Sequence, residues 1–358
     1  MSLKQLGIEH KTIKEMLVAS IRLNIKERKE LYMVLDELTR HIPKEHIMGP
    51  GFCIFQFVTS VKRGFDVEVG LPVAQAIETD RIKTRILPKM EVLSLVHTGP
   101  AEKLKETYRK LYTSASEHGL ISDEFCREVF LDSNDPAGGE IELQFVLHNW
   151  NELLGRNLER VLGKETRQKV MQGSDKLTLA STINERFYWV KETMERLDNL
   201  ADQGKKYDIL SSCAHVFPVG QIKKLKVVYE EARIKTGDPL KAVDAVIEFM
   251  GEDPGWGEPP LREGNIIYST KQPRDPKAYE NAKSEAEKRK SYCFCPLVRN
   301  HLDKGMPITF CYCGAGWFRQ QWEGAIGKPV RIEVVKSVLK GDDVCQFAIH
   351  LPENQEMK

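Results

Sequence analysis

The stretch Glu140-Ile141-Glu142-Leu143-Gln144-Phe145-Val146-Leu147 decides how this chain is read. Ile141, Leu143, Phe145 and Leu147 fall on one side of a period-two alternation, with Glu142 and Gln144 on the other, which is the pattern of a strand with one face in a core. An earlier segment echoes it: Val67-Glu68-Val69-Gly70-Leu71-Pro72-Val73 lies over Ile141 to Leu147 residue by residue. Each copy closes a strand–helix–strand run. In the first half the run is Ile13 to Ile25, Glu27 to Arg40 and Gly51 to Thr59. In the second it is Ile86 to Val96, Ala101 to His118 and Arg127 to Leu131. A tandem duplication accounts for both. We therefore expect an α+β fold whose first module is a duplicated strand–helix–strand–strand unit.

Beyond that module the period changes. Trp150, Leu153, Leu154, Leu158, Val161 and Leu162 form an apolar helical stripe, and Phe187, Val190, Met194, Leu197 and Leu200 form another. Asp238-Pro239 is a helix start, a capping carboxylate followed by a first-turn proline. Gly251 to Glu263 reads as a loop, and Pro276 to Tyr292 as one charged helix. Ile308 to Cys313 reads as a strand, followed by a short helix near Trp317 to Ala325. Val330 to Leu339 and Val344 to Leu351 read as paired strands around Lys340-Gly341-Asp342-Asp343. The expected divisions are 1–148, a helical region over 149–255, and a smaller cysteine-bearing α/β module over 256–358 packed with it.

The chain has 358 residues, with 53 Lys+Arg against 52 Asp+Glu and a formal charge of +1. That balance argues against a nucleic-acid coat or a polybasic membrane binder. No apolar run approaches the ~20 residues that span a bilayer. Met1 to Lys14 lacks a signal-peptide core, so we expect a cytoplasmic protein with reduced thiols.

The stretch His97-Thr98-Gly99-Pro100, then Leu104 and Leu111, Arg127-Glu128-Val129-Phe130-Leu131, Asp135-Pro136 and Glu140 to Phe145 resembles the GyrI-like (AraC-type) effector-binding family over roughly residues 8–148. The resemblance implies a small-molecule cleft between the two halves, lined by aromatics, with Glu142 as its carboxylate and Glu128 as a second acidic position. Two positions depart from the pattern: Val146 replaces a proline, and the aromatic often seen on the family's second helix is not evident at Thr113. Independently of the family, a carboxylate alternating with core residues needs a cationic or hydrogen-bonding ligand, or a Lys or Arg of the protein, unless it simply faces water. Glu142, Glu128, Glu68, Phe55 and Phe57 are the expected ligand contacts, for a cationic or amphipathic aromatic compound. Because the module starts within about ten residues of Met1, no reader domain is expected before it, and no specific DNA binding.

In the last half, Cys213-Ala214-His215, Cys293-Phe294-Cys295 and Cys311-Tyr312-Cys313 are three pairs one residue apart. Four of the six residues would fill a zinc shell. Alternatively, Cys313 at a helix start is a nucleophile with His215 or His301 as base, or the thiols are plain core. Cys53 and Cys126 read as core. The tail from Cys311 through Gly341-Asp342-Asp343-Val344-Cys345-Gln346-Phe347 resembles the 4-vinyl-reductase-type small-molecule-binding domain, implying a second pocket. The leading expectation is an effector-sensing, small-molecule-binding protein, linked to transcription without its own DNA reader. The alternatives are a hydrolase using Glu142 or the Cys/His group, and a regulator acting through a protein partner.

Overall fold

The computed structural model describes residues 3–56, 64–132, 138–253 and 256–353. They form two units, Met1–His148 and Asn149–Lys358, so residues 149–255 and 256–358 belong to one unit.

In the first unit the alternating segments pair into one antiparallel sheet of eight strands. In chain order these are β1 (Glu9–Ile13), β2 (Met16–Ile25), β3 (Phe52–Gln56), β4 (Phe65–Pro72), β5 (Lys83–Leu87), β6 (Met90–His97), β7 (Ser122–Phe130) and β8 (Ile141–Leu147), with helices α1 (Lys29–His41) and α2 (Leu104–Glu117). Their order across the sheet is β1-β6-β8-β7-β3-β4-β2-β5. The duplication is explicit: β2-α1-β3-β4 and β6-α2-β7-β8 pair in the same way, and the halves meet where β3 pairs β7. Two strands were hidden inside longer expected ones. The run expected from Ile13 is two strands, because Lys14-Glu15 turns β1 away to pair with β6 of the other half; Pro88-Lys89 does the same for β5, which pairs β2.

One face of this sheet lies under both helices. Tyr32 of α1 packs on Phe130 and Tyr112 of α2 on Phe145, with ring centroids 5.8 and 5.9 Å apart. The opposite face holds an apolar cluster of Val18, Phe52, Ile54, Leu87, Met90, Val92, Val129 and Val146. Leu87 belongs to an edge strand and Val92 to the strand beside the other edge, so a cluster containing both requires the sheet to curl. Gly70 permits this packing: a Cβ there would sit 2.8 Å from Phe52 Cζ.

The second unit begins with five helices, α3 (Trp150–Val170), α4 (Ile183–Leu200), α5 (Gln203–Ser211), α6 (Val219–Thr236) and α7 (Pro239–Gly251). Asp238 caps α7 through Leu240 N–H with Pro239 in the first turn, as the sequence suggested. A short strand β9 (Leu261–Glu263) ends the expected loop and pairs with β10 (Ile266–Thr270). The expected single helix over 276–292 is instead α8 (Pro276–Glu280) and α9 (Glu285–Tyr292), the second restarted by Ser284 accepting from Glu287 N–H. Ile308 to Cys313 is not a strand: a 3-10 turn at Ile308–Cys311 leads into α10 (Tyr312–Ile326). Within α10, Gly316 lets the helix meet the end of α5, since a Cβ there would lie 1.9 Å from Ser211 O. Only a helix bare at that point can approach so closely. Strands β11 (Arg331–Lys336) and β12 (Gln346–His350) pair as expected and complete the sheet β11-β12-β10-β9. Trp322, fully buried, packs in a core that also draws on α5, α6, α7, β10 and β12. Among the described residues no helix is long and apolar enough to cross a membrane.

Candidate functional site

Strand registers place the acidic residues of the first unit. Residues directly paired on neighbouring strands point to the same face. Glu128 pairs with Cys53 and with Leu143, so it faces α1 and α2. Val129 pairs with Glu142, so Glu142 faces the other way. The two carboxylates that the sequence assigned to one cleft are therefore on opposite faces. Phe55, half-buried and edge-on to Phe65 at 6.4 Å, is on the Glu128 side. Glu68 is on the Glu142 side, and Phe57 lies outside the described residues.

Glu128 stands at the seam of the duplication. Laying β4 over β8 and β3 over β7 makes Cys53 and Glu128 equivalent, and these two residues pair with each other across the seam. Its carboxylate is 1% exposed. Oε1 accepts from Tyr108 Oη of α2 at 2.6 Å and from Arg28 Nη1 at 3.2 Å; Oε2 accepts from Arg28 Nη2 and, at 3.7 Å, from the Cys53 thiol. Arg28, at the start of α1, also donates from Nε to Tyr32 Oη at 2.9 Å. Burial works against the Arg28 charge, yet the hydrogen bond and field of Glu128 outweigh it and raise its pKa. Burial pushes the Tyr108 phenol and the Cys53 thiol far up, and the charge of Glu128 adds to both. Both therefore remain protonated donors at neutral pH. One carboxylate is thus gripped by a cation from the first helix and a phenol from the second. Sequence reading took Cys53 for plain core and named neither Arg28 nor Tyr108 as a site residue.

The opposite face repeats one arrangement twice. Glu142, 8% exposed, accepts from Lys11 Nζ at 2.9 Å and from Ser94 Oγ. Glu68 accepts from Ser20 Oγ at 2.8 Å and from Arg85 Nε and Nη2 at 2.7 and 2.8 Å. In each half the serine comes from the strand next to the edge and the cation from the edge strand contributed by the other half. Burial pushes the Glu142 carboxyl up, but the bonds from Ser94 and Lys11 prevail and hold it below the usual carboxylate range. Glu142 thus meets the requirement for a partner with a lysine of the protein itself.

The cysteines of the second unit come from several elements, yet Cys213, Cys293, Cys295, Cys311, Cys313 and Cys345 lie near enough that the charge on one would raise the pKa of its neighbours. Cys213 donates its thiol to Ile209 O at 3.2 Å, Cys313 donates to Cys213 O at 3.4 Å, and the Cys311 sulfur lies 3.3 Å from Ser337 Oγ. Burial pushes the thiols of Cys213, Cys293, Cys295, Cys311 and Cys313 up to about 12. Cys313 does open α10, but burial overrides the acidifying effect expected of a helix start. Lys271 Nζ sits over the rings of Phe294, Phe318 and Phe347 at 5.5, 5.8 and 5.6 Å. His215 takes a backbone bond from Gln320, while His301 stacks on Phe187 at 4.4 Å and shares a 2.7 Å bond with Asn184 Oδ1. Among the described residues no group of three or more His, Cys, Asp or Glu side chains is placed to hold a metal ion.

No curated protein matches the sequence. Several solved structures are similar to part of this chain at low identity. EcmrR in its DNA complex is 20% identical, with 39% of this chain and 56% of that chain covered and a TM-score of 0.35. A hydrolase from Listeria innocua is 12% identical over 39% of this chain and 91% of that one, with a TM-score of 0.29. A protein solved bound to tetraphenylphosphonium is 6% identical over 40% and 96%, with a TM-score of 0.30. The present chain spans just over half the length of the EcmrR chain. Residues 279–356 match a family of unknown function, DUF6144, and not the second domain suggested from the tail. Residues 8–145 match the model of the GyrI-like small molecule binding domain.

Proposed function

We propose that the first unit is an effector-binding module that holds its small molecule on the helix-covered face, around Glu128. The observation that carries this is the sharing of one carboxylate, 1% exposed, between Arg28 of α1 and Tyr108 of α2. Burying such a charge is costly, and an apolar residue would pack the seam more simply. A ligand that offers a hydrogen-bond donor or a cation to Glu128 takes the place of Arg28 or Tyr108. Either exchange releases a helix from the sheet, so occupancy is converted into helix position. Tyr32, Phe55 and Phe130 give this face the aromatic surface that an amphipathic aromatic compound needs. Burial that holds the Cys313 thiol near 12 leaves it almost entirely protonated at neutral pH, which disfavours the thiol version of the hydrolase reading.

The test is fluorescence or calorimetric titration of the full chain with tetraphenylphosphonium, a lipophilic aromatic cation, and with a neutral aromatic amide. Saturable binding of either, weakened roughly tenfold or more by Glu128→Gln and left unchanged by Glu142→Gln, is expected. Equal loss in the two variants, or binding indifferent to both, refutes the assignment of the face.

A further inference from the structure

The second unit carries a cation that no acidic side chain answers. Lys271 follows β10, its backbone N–H donating to Cys345 O at 2.9 Å. Among the described residues its Nζ has neither a hydrogen bond nor an ion pair. It lies instead over the rings of Phe294, Phe318 and Phe347. Ser269, two residues earlier and therefore on the same side of the strand, is 4% exposed, and its Oγ is also without a partner. Alternation sets it about 7 Å further along, toward the fully buried Ile267. A buried hydroxyl left unpaired is costly, so this end of the core is not explained by packing alone.

The facing wall is the start of α10. Ser269 pairs with Phe347, which packs on Phe318 of α10 with ring centroids 4.9 Å apart. At Gly314 a Cβ would lie 3.3 Å from Phe347 Cζ and 3.7 Å from Lys271 Nζ. The helix thus presents no side chain to the ammonium at that point.

Thiols complete the lining. Burial raises the pKa of Cys293, Cys311, Cys313 and Cys345, and in each the field of Lys271 works against the rise, so all four surround one ammonium. The Ser337 hydroxyl, 3.3 Å from Cys311 Sγ, also bonds the Cys345 thiol. Cys311, Cys313 and Cys345 are closely surrounded by protein yet keep part of their surface open to solvent, which is how residues lining a recess differ from sealed core. Phe294, 51% exposed, stands at the rim. Thiols raised in this way are neutral at neutral pH and bring no negative charge to Lys271. Asp342, whose charge reaches Cys345, is committed to Ser337 N–H at 2.8 Å.

We infer that Lys271 and Ser269 form a binding site of the second unit for a small aromatic monocarboxylate. The carboxylate accepts from the Lys271 ammonium and the Ser269 hydroxyl, and the aromatic body packs edge to face on the phenyl rings. A dianion such as phosphate is disfavoured, because a single cation stands in a lining of rings and neutral thiols that cannot offset the loss of its hydration.

The test titrates the full chain with sodium phenylacetate, with its neutral analogue phenylacetamide and with sodium phosphate, at fixed ionic strength and read by calorimetry. Saturable phenylacetate binding by the wild type, weakened at least tenfold in Lys271→Met, partly retained in Lys271→Arg and weakened a few-fold in Ser269→Ala, supports the site. Phenylacetamide and phosphate should give no saturable signal. Failure of the wild type to bind phenylacetate at millimolar concentrations overturns the proposal whether or not the variants fold. Binding that Lys271→Met leaves intact also overturns it, since the anion is then held elsewhere, and so does phenylacetamide or phosphate binding as tight as that of phenylacetate.

Discussion

Replacing Arg28 with methionine keeps most of the side-chain volume and removes the counter-ion of Glu128. Arg28 is 27% exposed and Glu128 1%, so the arginine is the member with access to water and the carboxylate is the one stranded. Breaking such a pair costs about 3–5 kcal/mol when the buried partner stays charged. The stranded carboxyl has one relief, which is to take up a proton. A glutamate ordinarily titrates near pH 4.3, so holding it protonated at pH 7 costs about 3.7 kcal/mol, and this caps the penalty. Between pH 7 and about 4.3 the folded variant binds more protons than its unfolded chain, so its stability falls as pH rises. The deficit relative to wild type should shrink by about 1.4 kcal/mol per unit on acidification, to about 1 kcal/mol at pH 5. Native-state hydrogen exchange of the β3 and β7 amides is the suitable assay, because global denaturation would mix the transitions of the two units. The same variant should be stabilised by tetraphenylphosphonium more than the wild type is, since the cation restores the missing charge. A deficit below about 1 kcal/mol at pH 7, or one that does not change with pH, would refute the description of Glu128 as a buried charge held by Arg28.

Two further outcomes follow from the second unit. Gly316→Ala sets a Cβ 1.9 Å from Ser211 O and 2.7 Å from Ser211 C, and backbone cannot yield as a side chain does. Gly324→Ala meets the Cγ2 methyl of Ile222 at 2.4 Å, a side chain that can turn aside, so native-state hydrogen exchange of the α5 and α10 amides should show the first variant losing about 3 kcal/mol or more and the second less. With five thiols held near 12 by burial, iodoacetamide at pH 7.5 should label them far more slowly than a free cysteine. One thiol that alkylates rapidly in the folded protein would restore the nucleophile reading for that residue.

The parts of this fold that are legible in the sequence are those that local alternation controls. The echo between Val67–Val73 and Ile141–Leu147 corresponds to β4 and β8, because each strand has one helix-facing side and repeats its carboxylate at the same phase. The helix starts at Asp238 and the hairpin of β11 and β12 were legible for the same reason: caps and turns act over a few residues. The strands β1 and β5 were not, since a two-residue link inside a continuous β pattern changes no local preference, although it sends the strand to the other half of the sheet. Ile308 to Cys313 has the composition of a strand but leads into a helix whose Gly316 meets Ser211, a contact more than 100 residues away in sequence.

The candidate site shows the same division most sharply. Glu128 and Glu142 each alternate with apolar neighbours on adjacent strands, and nothing in either strand alone says whether they share a face. That depends on register, and a shift of one residue between β7 and β8 would invert it. The observed pairing of Val129 with Glu142 sends Glu128 beneath the helices and Glu142 to the opposite side. Their partners then follow from topology. Arg28 reaches Glu128 because β3 and β7 meet at the seam, and Lys11 reaches Glu142 because β1 has crossed to the other half. A charge on a strand can be recognised as needing a partner from sequence; which partner it takes is decided by the pairing of strands that the alternation leaves open.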